Sequence, residues 1–197
     1  MVYKLWFVLR GVEMMQLLNP TLWRTCRTLA GRTRLSLLRA LLTVPGQPVI
    51  RLAEEVGIGK SDASQELRRL QSRGILSVER KRNSVIYHPF PDPQVHSAAP
   101  LLKALILALQ SPSKEQEEHI IQIATGLAHP RRIAIARVIK KKQQSILSLE
   151  NEVGFHRNVL NRHLKLLIEA GFIHRKGKIL LFLPSSHPLS LTLADLL

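Results

Sequence analysis

The chain has 197 residues, with 29 lysines and arginines against 14 aspartates and glutamates, a formal charge of +15 and an isoelectric point near 10.9. That length holds one or two domains, and the charge favours a polyanionic partner. Cys26 is the single cysteine, which excludes an intramolecular disulfide and suits a reducing compartment, and no run approaches the roughly 20 apolar residues of a bilayer-spanning helix.

In chain order, residues 1–18 are expected to be an N-terminal extension. Lys4 and Arg10 bracket an apolar stretch too short for a signal peptide, no small-residue cleavage site follows, and Met14 or Met15 is the expected start. Asn19 and Pro20 have the character of an N-cap and a first-turn proline, opening a helix to Leu29. A second helix is predicted over 32–42, with Leu35, Leu38 and Leu42 on one face. After the break at Pro45 to Pro48 come a short helix over 50–56, stopped by Gly57, and another over 61–73, stopped by Gly74. Strands over 75–80 and 85–88 flank the polar turn Lys81-Arg82-Asn83-Ser84. This first domain occupies 19–90.

A stiff, proline-rich linker with an apolar helix fills 91–114. The run from Leu101 to Leu109 is apolar nearly all round, so it must be covered on most sides, between two parts of the chain or at a dimer seam. A second domain spans 115–185, with helices over 115–127, 130–142, 147–153 and 157–170. Strands over 172–175 and 179–183 follow, around Lys176-Gly177-Lys178. An apolar segment, 186–197, ends the chain and is a plausible partner for the linker helix.

The two domains are copies. Leu29-Ala30-Gly31-Arg32-Thr33-Arg34-Leu35 returns as Leu127-Ala128-His129-Pro130-Arg131-Arg132-Ile133, and Leu67 to Leu76 returns as Leu164 to Ile173, at an offset of about 97 residues. Repeats of that length are duplicated domains rather than solenoid units. Helix, short helix, turn, helix and basic hairpin is the order of a winged helix-turn-helix. The expected fold class is therefore mainly α with small β-hairpins (α+β), as two tandem winged helix-turn-helix domains.

The residues also carry a family resemblance. Gly57 to Leu67 resembles the recognition-helix segment of ArsR-type bacterial repressors. Gly154 to Leu164 resembles it more closely, above all in Asn161-Arg162-His163-Leu164-Lys165-Leu166-Leu167, and the run from Leu127 to Ile133 is similar to that family's approach to the preceding helix. The resemblance covers about 120 residues. It implies a transcriptional regulator, a repressor by analogy, working as a two-fold pair of recognition helices. Such proteins place metal-binding cysteines on the helix before the recognition helix; here 49–53 and 145–150 contain none. The eight histidines show no ligand spacing, so neither a metal nor another cofactor is expected.

A helix reads the major groove when its first turns present short polar and basic side chains. In the second copy these are Arg157, Asn158, Asn161, Arg162 and His163, with Leu160, Leu164 and Leu167 turned inward. In the first copy they are Lys60, Ser61, Ser64 and Gln65, accompanied by Asp62 and Glu66, whose carboxylates repel phosphate. The wings offer Arg80, Lys81 and Arg82, and Arg175, Lys176 and Lys178, for backbone contacts that position without reading sequence. Glu150 stands where the first copy has Ala53, and implies a looser helix crossing.

No phosphate-cradling glycine loop, carboxylate pair or nucleophile–histidine motif points to an enzyme. The expected partner is double-stranded DNA, bound at an asymmetric or imperfectly palindromic site, in the cytoplasm and on the nucleoid when DNA-bound. The run from Leu101 to Leu109 serves either an internal pseudo-dimer or a homodimer. The alternatives are a tandem winged-helix protein–protein scaffold and an RNA-associated basic protein.

Overall fold

Residues 21–81, 84–110 and 113–197 are described by the structure, a computed structural model. The first copy contains α1 (Leu22–Leu29), α2 (Arg32–Thr43), α3 (Val49–Val56) and α4 (Lys60–Gln71), then the hairpin β1 (Ser77–Lys81) and β2 (Ser84–His88). After α5 (Ala98–Ala108) the order returns: α6 (Lys114–Leu127), α7 (Pro130–Lys141), β3 (Gln144–Ser145), α8 (Ile146–Val153), α9 (Arg157–Glu169), β4 (Ile173–Lys176) and β5 (Ile179–Phe182). Helix α10 (Pro188–Asp195) follows. The architecture is mainly helical with small antiparallel sheets, as the α+β expectation had it. The expected extension, 1–18, and the Asn19-Pro20 start lie outside the described residues, as does Arg82 of the first wing.

The repeat extends to backbone and side-chain detail. Gly57 and Gly154 close α3 and α8 in the left-handed region, at φ 74° and 66°, where a Cβ is disfavoured. An arginine near the start of each second helix caps the carbonyl end of the helix before it. Arg34 Nε donates to Thr28 O and its Nη2 to Arg27 O at 3.3 Å. At the matching positions Arg132 Nε donates to Gly126 O at 2.9 Å and Nη2 to Thr125 O at 2.8 Å. These bonds satisfy carbonyls that a helix end leaves without partners.

Strands β1 and β2 pair antiparallel with Ser77 opposite His88, and Pro48 bridges Ile86. In the second copy that bridge lengthens into a strand: β3 pairs with β5, Gln144 opposite Leu180, giving the order β3-β5-β4. Two residues carry no alternation pattern, so β3 had no signal in the sequence.

Two compact units result, one built on residues 36–103 and the other on residues 22–35 and 104–197. This boundary differs from the repeat boundary assumed for a 19–90 domain. The reason is α1, which packs against α6 and buries Thr25, Cys26 and Leu29. An ion pair between Arg32 and Glu118 adds to the same junction.

In the first unit Leu37, Leu38 and Leu41 of α2, Leu52 of α3, and Leu67 and Leu70 of α4 form the core with Tyr87 of β2. In the second, Ile120 and Ile123, Ile135 and Ile139, Leu149, Leu160 and Leu167, and Phe172 are buried. Helix α10 packs on α6, while Arg137 and Lys140 of α7 donate to Leu197 O and Ala194 O at 2.9 and 2.8 Å. Along α5, Leu101, Leu102, Ala104, Leu105 and Ala108 are buried, but Lys103, Ile106 and Leu107 are exposed, so the helix keeps one open side. Among the described residues no helix is long and apolar enough to cross a membrane.

Candidate nucleic-acid interface

Helix α9 is amphipathic by construction. Leu160, Leu164 and Leu167 recur at helical spacing and are buried, as expected. That fixes the opposite face: Arg157, Asn158, Asn161 and Arg162 are all exposed over the first two turns. The hairpin of β4 and β5 stands beside α9 and carries Arg175, Lys176 and Lys178, also exposed. Arg175 Nε donates to Gly177 O at 3.0 Å, which folds the guanidinium across the turn. Among the described residues no carboxylate pairs with Arg162, Arg175, Lys176 or Lys178. A groove of about 370 Å³ runs between α9 and the sheet, with Asn161, Leu164, Ile168, Arg175 and Leu180 in its walls.

His163 departs from expectation. Its place among the candidate DNA contacts requires an exposed side chain, but it lies on the inward stripe with Leu160, Leu164 and Leu167 and is 8% exposed. Its ring tilts against that of His129 with centroids 4.8 Å apart, and its Nδ1 is buried without a hydrogen-bond partner. Burial, then the nearby His129, Arg132, Arg131 and Arg162, push its pKa down to about 4. His129 caps α7, its Nδ1 accepting from Arg131 N at 3.1 Å, and burial with the Arg132, Arg131 and Arg27 charges lowers it as well. His163 is therefore an uncharged core side chain at neutral pH and does not lie on the exposed face of α9.

Glu150, on the last turn of α8, reaches across the turn to the first residue of α9. Its Oε2 accepts from Arg157 Nε at 2.7 Å and lies 2.6 Å from Nη2. Glu150 is thus an ion-pair partner, and α9, which lacks acid in its own first turn, receives one from the preceding helix. The exchange of Ala53 for Glu150 is visible in the sequence but the contact is not, because only the intervening turn brings two residues seven apart together.

The first unit repeats the scaffold with a weaker charge. Lys60, Ser61 and Gln65 of α4 are exposed and Ser64 is half-buried. Asp62 shares the first turn, and Glu66 is held by Arg69 one turn further on. On β1, Arg80 is exposed, whereas Lys81 meets Glu79 at 3.2 Å. Hydrogen bonds from Lys81 and then His88 hold the Glu79 carboxyl below the ordinary carboxylate range. A smaller groove, about 170 Å³, lies beside the first turns of α4, with Lys60, Ser64, Ser84 and Val85 in its walls.

No known protein family, curated protein or solved structure matches the chain. Among the described residues no group of three or more histidines, cysteines or carboxylates is placed to hold a metal ion. Cys26 is fully buried and desolvation pushes its thiol up to about 12, which makes it a packing residue in this fold.

Proposed function

We propose that the chain binds double-stranded DNA through two tandem winged helix-turn-helix units and acts in transcriptional regulation, as a repressor. In this reading α9 enters the major groove and the β4–β5 hairpin lies on the backbone. One observation carries it: Asn158, Asn161 and Arg162 are exposed on the first two turns of a helix flanked by a hairpin with three exposed cations. Asparagine suits adenine and arginine suits guanine, each good pairing being worth about 1–3 kcal/mol of discrimination. Lysines and arginines on the hairpin would release counterions from phosphate and make binding salt-dependent. The expected operator is asymmetric, because the two reading helices differ.

Titration of the full chain against duplex DNA, single-stranded DNA and RNA at two salt concentrations tests the reading. Preference for duplex, weakening steeply with salt, is expected; equal affinity for RNA favours the RNA-associated alternative. Binding to no nucleic acid at about 50 mM salt, where non-specific affinity is strong, rejects it. Paired replacement of Arg157 and Arg162 by alanine should weaken specific binding by at least tenfold, and more than replacement of Lys60 and Gln65. The reverse ranking would make α4 the principal reader.

A second reading applies to the first unit alone. Asp62 among the candidate contacts of α4, and Glu79 against Lys81 on the wing, suit a protein partner better than phosphate. Loss of affinity on replacing Arg162, with none on replacing Lys60, is the outcome that favours one unit on DNA and the other on protein.

A further inference from the structure

We propose that Glu150 is a specificity-determining residue, one that holds Arg157 for reading a base and restrains it from binding phosphate. The proposal rests on α9 entering the major groove. A guanidinium is planar and carries five N–H donors in fixed directions. Glu150 occupies the edge formed by Nε and Nη2: Nε donates to its Oε2, and Nη2 lies against the same oxygen at 2.6 Å. The end-on pair, Nη1 and the other Nη2 hydrogen, faces away from that carboxylate and is the fork that spans O6 and N7 of guanine.

Holding one edge has two consequences. The side chain loses rotamer freedom before DNA arrives, so less is lost on forming the base contact. The carboxylate also cancels the arginine's charge at close range, weakening attraction to phosphate, which is blind to sequence. The geometry leaves access for this: the Arg157 side chain is 48% exposed while that of Glu150 is 23% exposed.

The first unit has no such arrangement. Ala53 and Lys60 occupy the matching positions, so there is neither a carboxylate to hold nor a fork to be held. The difference between the two reading helices therefore includes a device on the preceding helix as well as the contact residues themselves.

The test uses the full-length chain as wild type, E150A, the near-isosteric E150Q, and R157K. Preferred sites are selected from a random duplex pool, and affinity for one fixed, unselected duplex is measured across salt. Wild type is expected to select guanine at one position, and all three variants to lose that preference. E150A and E150Q should bind the unselected duplex several-fold tighter at about 50 mM salt, with a log–log salt slope steeper by about 0.9, as one freed phosphate contact requires. Unchanged site preference in both Glu150 variants overturns the proposal while leaving DNA binding intact. Failure of wild type and all variants to bind duplex overturns it together with the function on which it rests.

Discussion

His163 is a polar side chain whose neighbours decide its state. It is packed by His129 and faced by Arg131, Arg132 and Arg162, and the groups that move its pKa are all cationic or neutral. Folding therefore keeps it neutral, with a pKa of about 4, against about 6.5 in an unfolded chain. Between those values the unfolded state binds more protons than the folded one. Stability is full above about pH 6.5 and falls as pH drops through that window towards 4. Between pH 7 and pH 5 that linkage amounts to a loss on the order of 2 kcal/mol. Urea unfolding of wild type at pH 7 and pH 5 should show the decrease, and His163→Leu should make it smaller. An equal decrease in both would remove His163 as its cause. His187, lowered first by burial and then by His119, and His129, lowered first by burial and then by Arg132, Arg131 and Arg27, titrate in the same direction, so part of the decrease remains in the variant.

Helices α6 and α9 meet where neither has side chain to spare. A Cβ on Gly126 would come within 2.3 Å of the Ala170 Cβ, at the end of α9, and within 3.2 Å of the Phe172 ring. Gly126→Ala should cost about 1–3 kcal/mol by overpacking, read as a lowered unfolding midpoint, and should leave helix content unchanged. No loss of stability would mean that α6 can shift without penalty. Much of this layer was legible in the sequence, because leucine spacing and terminal glycines are local signals: α3, α4, α8 and α9 begin and stop within a few residues of their expected bounds. What the sequence withheld depends on approach between elements. Gly126 stands in a helix like any other small residue until α9 arrives against it, and Glu150 meets Arg157 only once the turn at Gly154 is formed. His163 was readable in principle, since 160, 163, 164 and 167 make a single stripe, but its polar character drew it to the wrong face.

For the molecule as a whole, sequence repeat and folding unit are different things. The copies align at an offset of about 97 residues, yet α1, written in the first copy, packs against α6, its counterpart in the second. Its inward side chains Cys26 and Leu29 are completely buried there, in the same unit as Ile120 and Ile123. Two amphipathic helices that open their respective copies satisfy each other's apolar faces, so the second copy gains a cover that its own residues do not provide. A core leucine truncated to alanine costs about 2–5 kcal/mol, and the location of that loss distinguishes the two ways of dividing the chain. Leu29→Ala, a change in the first copy, should raise amide hydrogen exchange in α6 and lower the unfolding midpoint of the second unit. The hairpin of β1 and β2 should exchange as in wild type. If α6 keeps its protection and the β1–β2 hairpin loses it instead, the folding boundary follows the repeat, and α1 belongs energetically with the copy in which it is written.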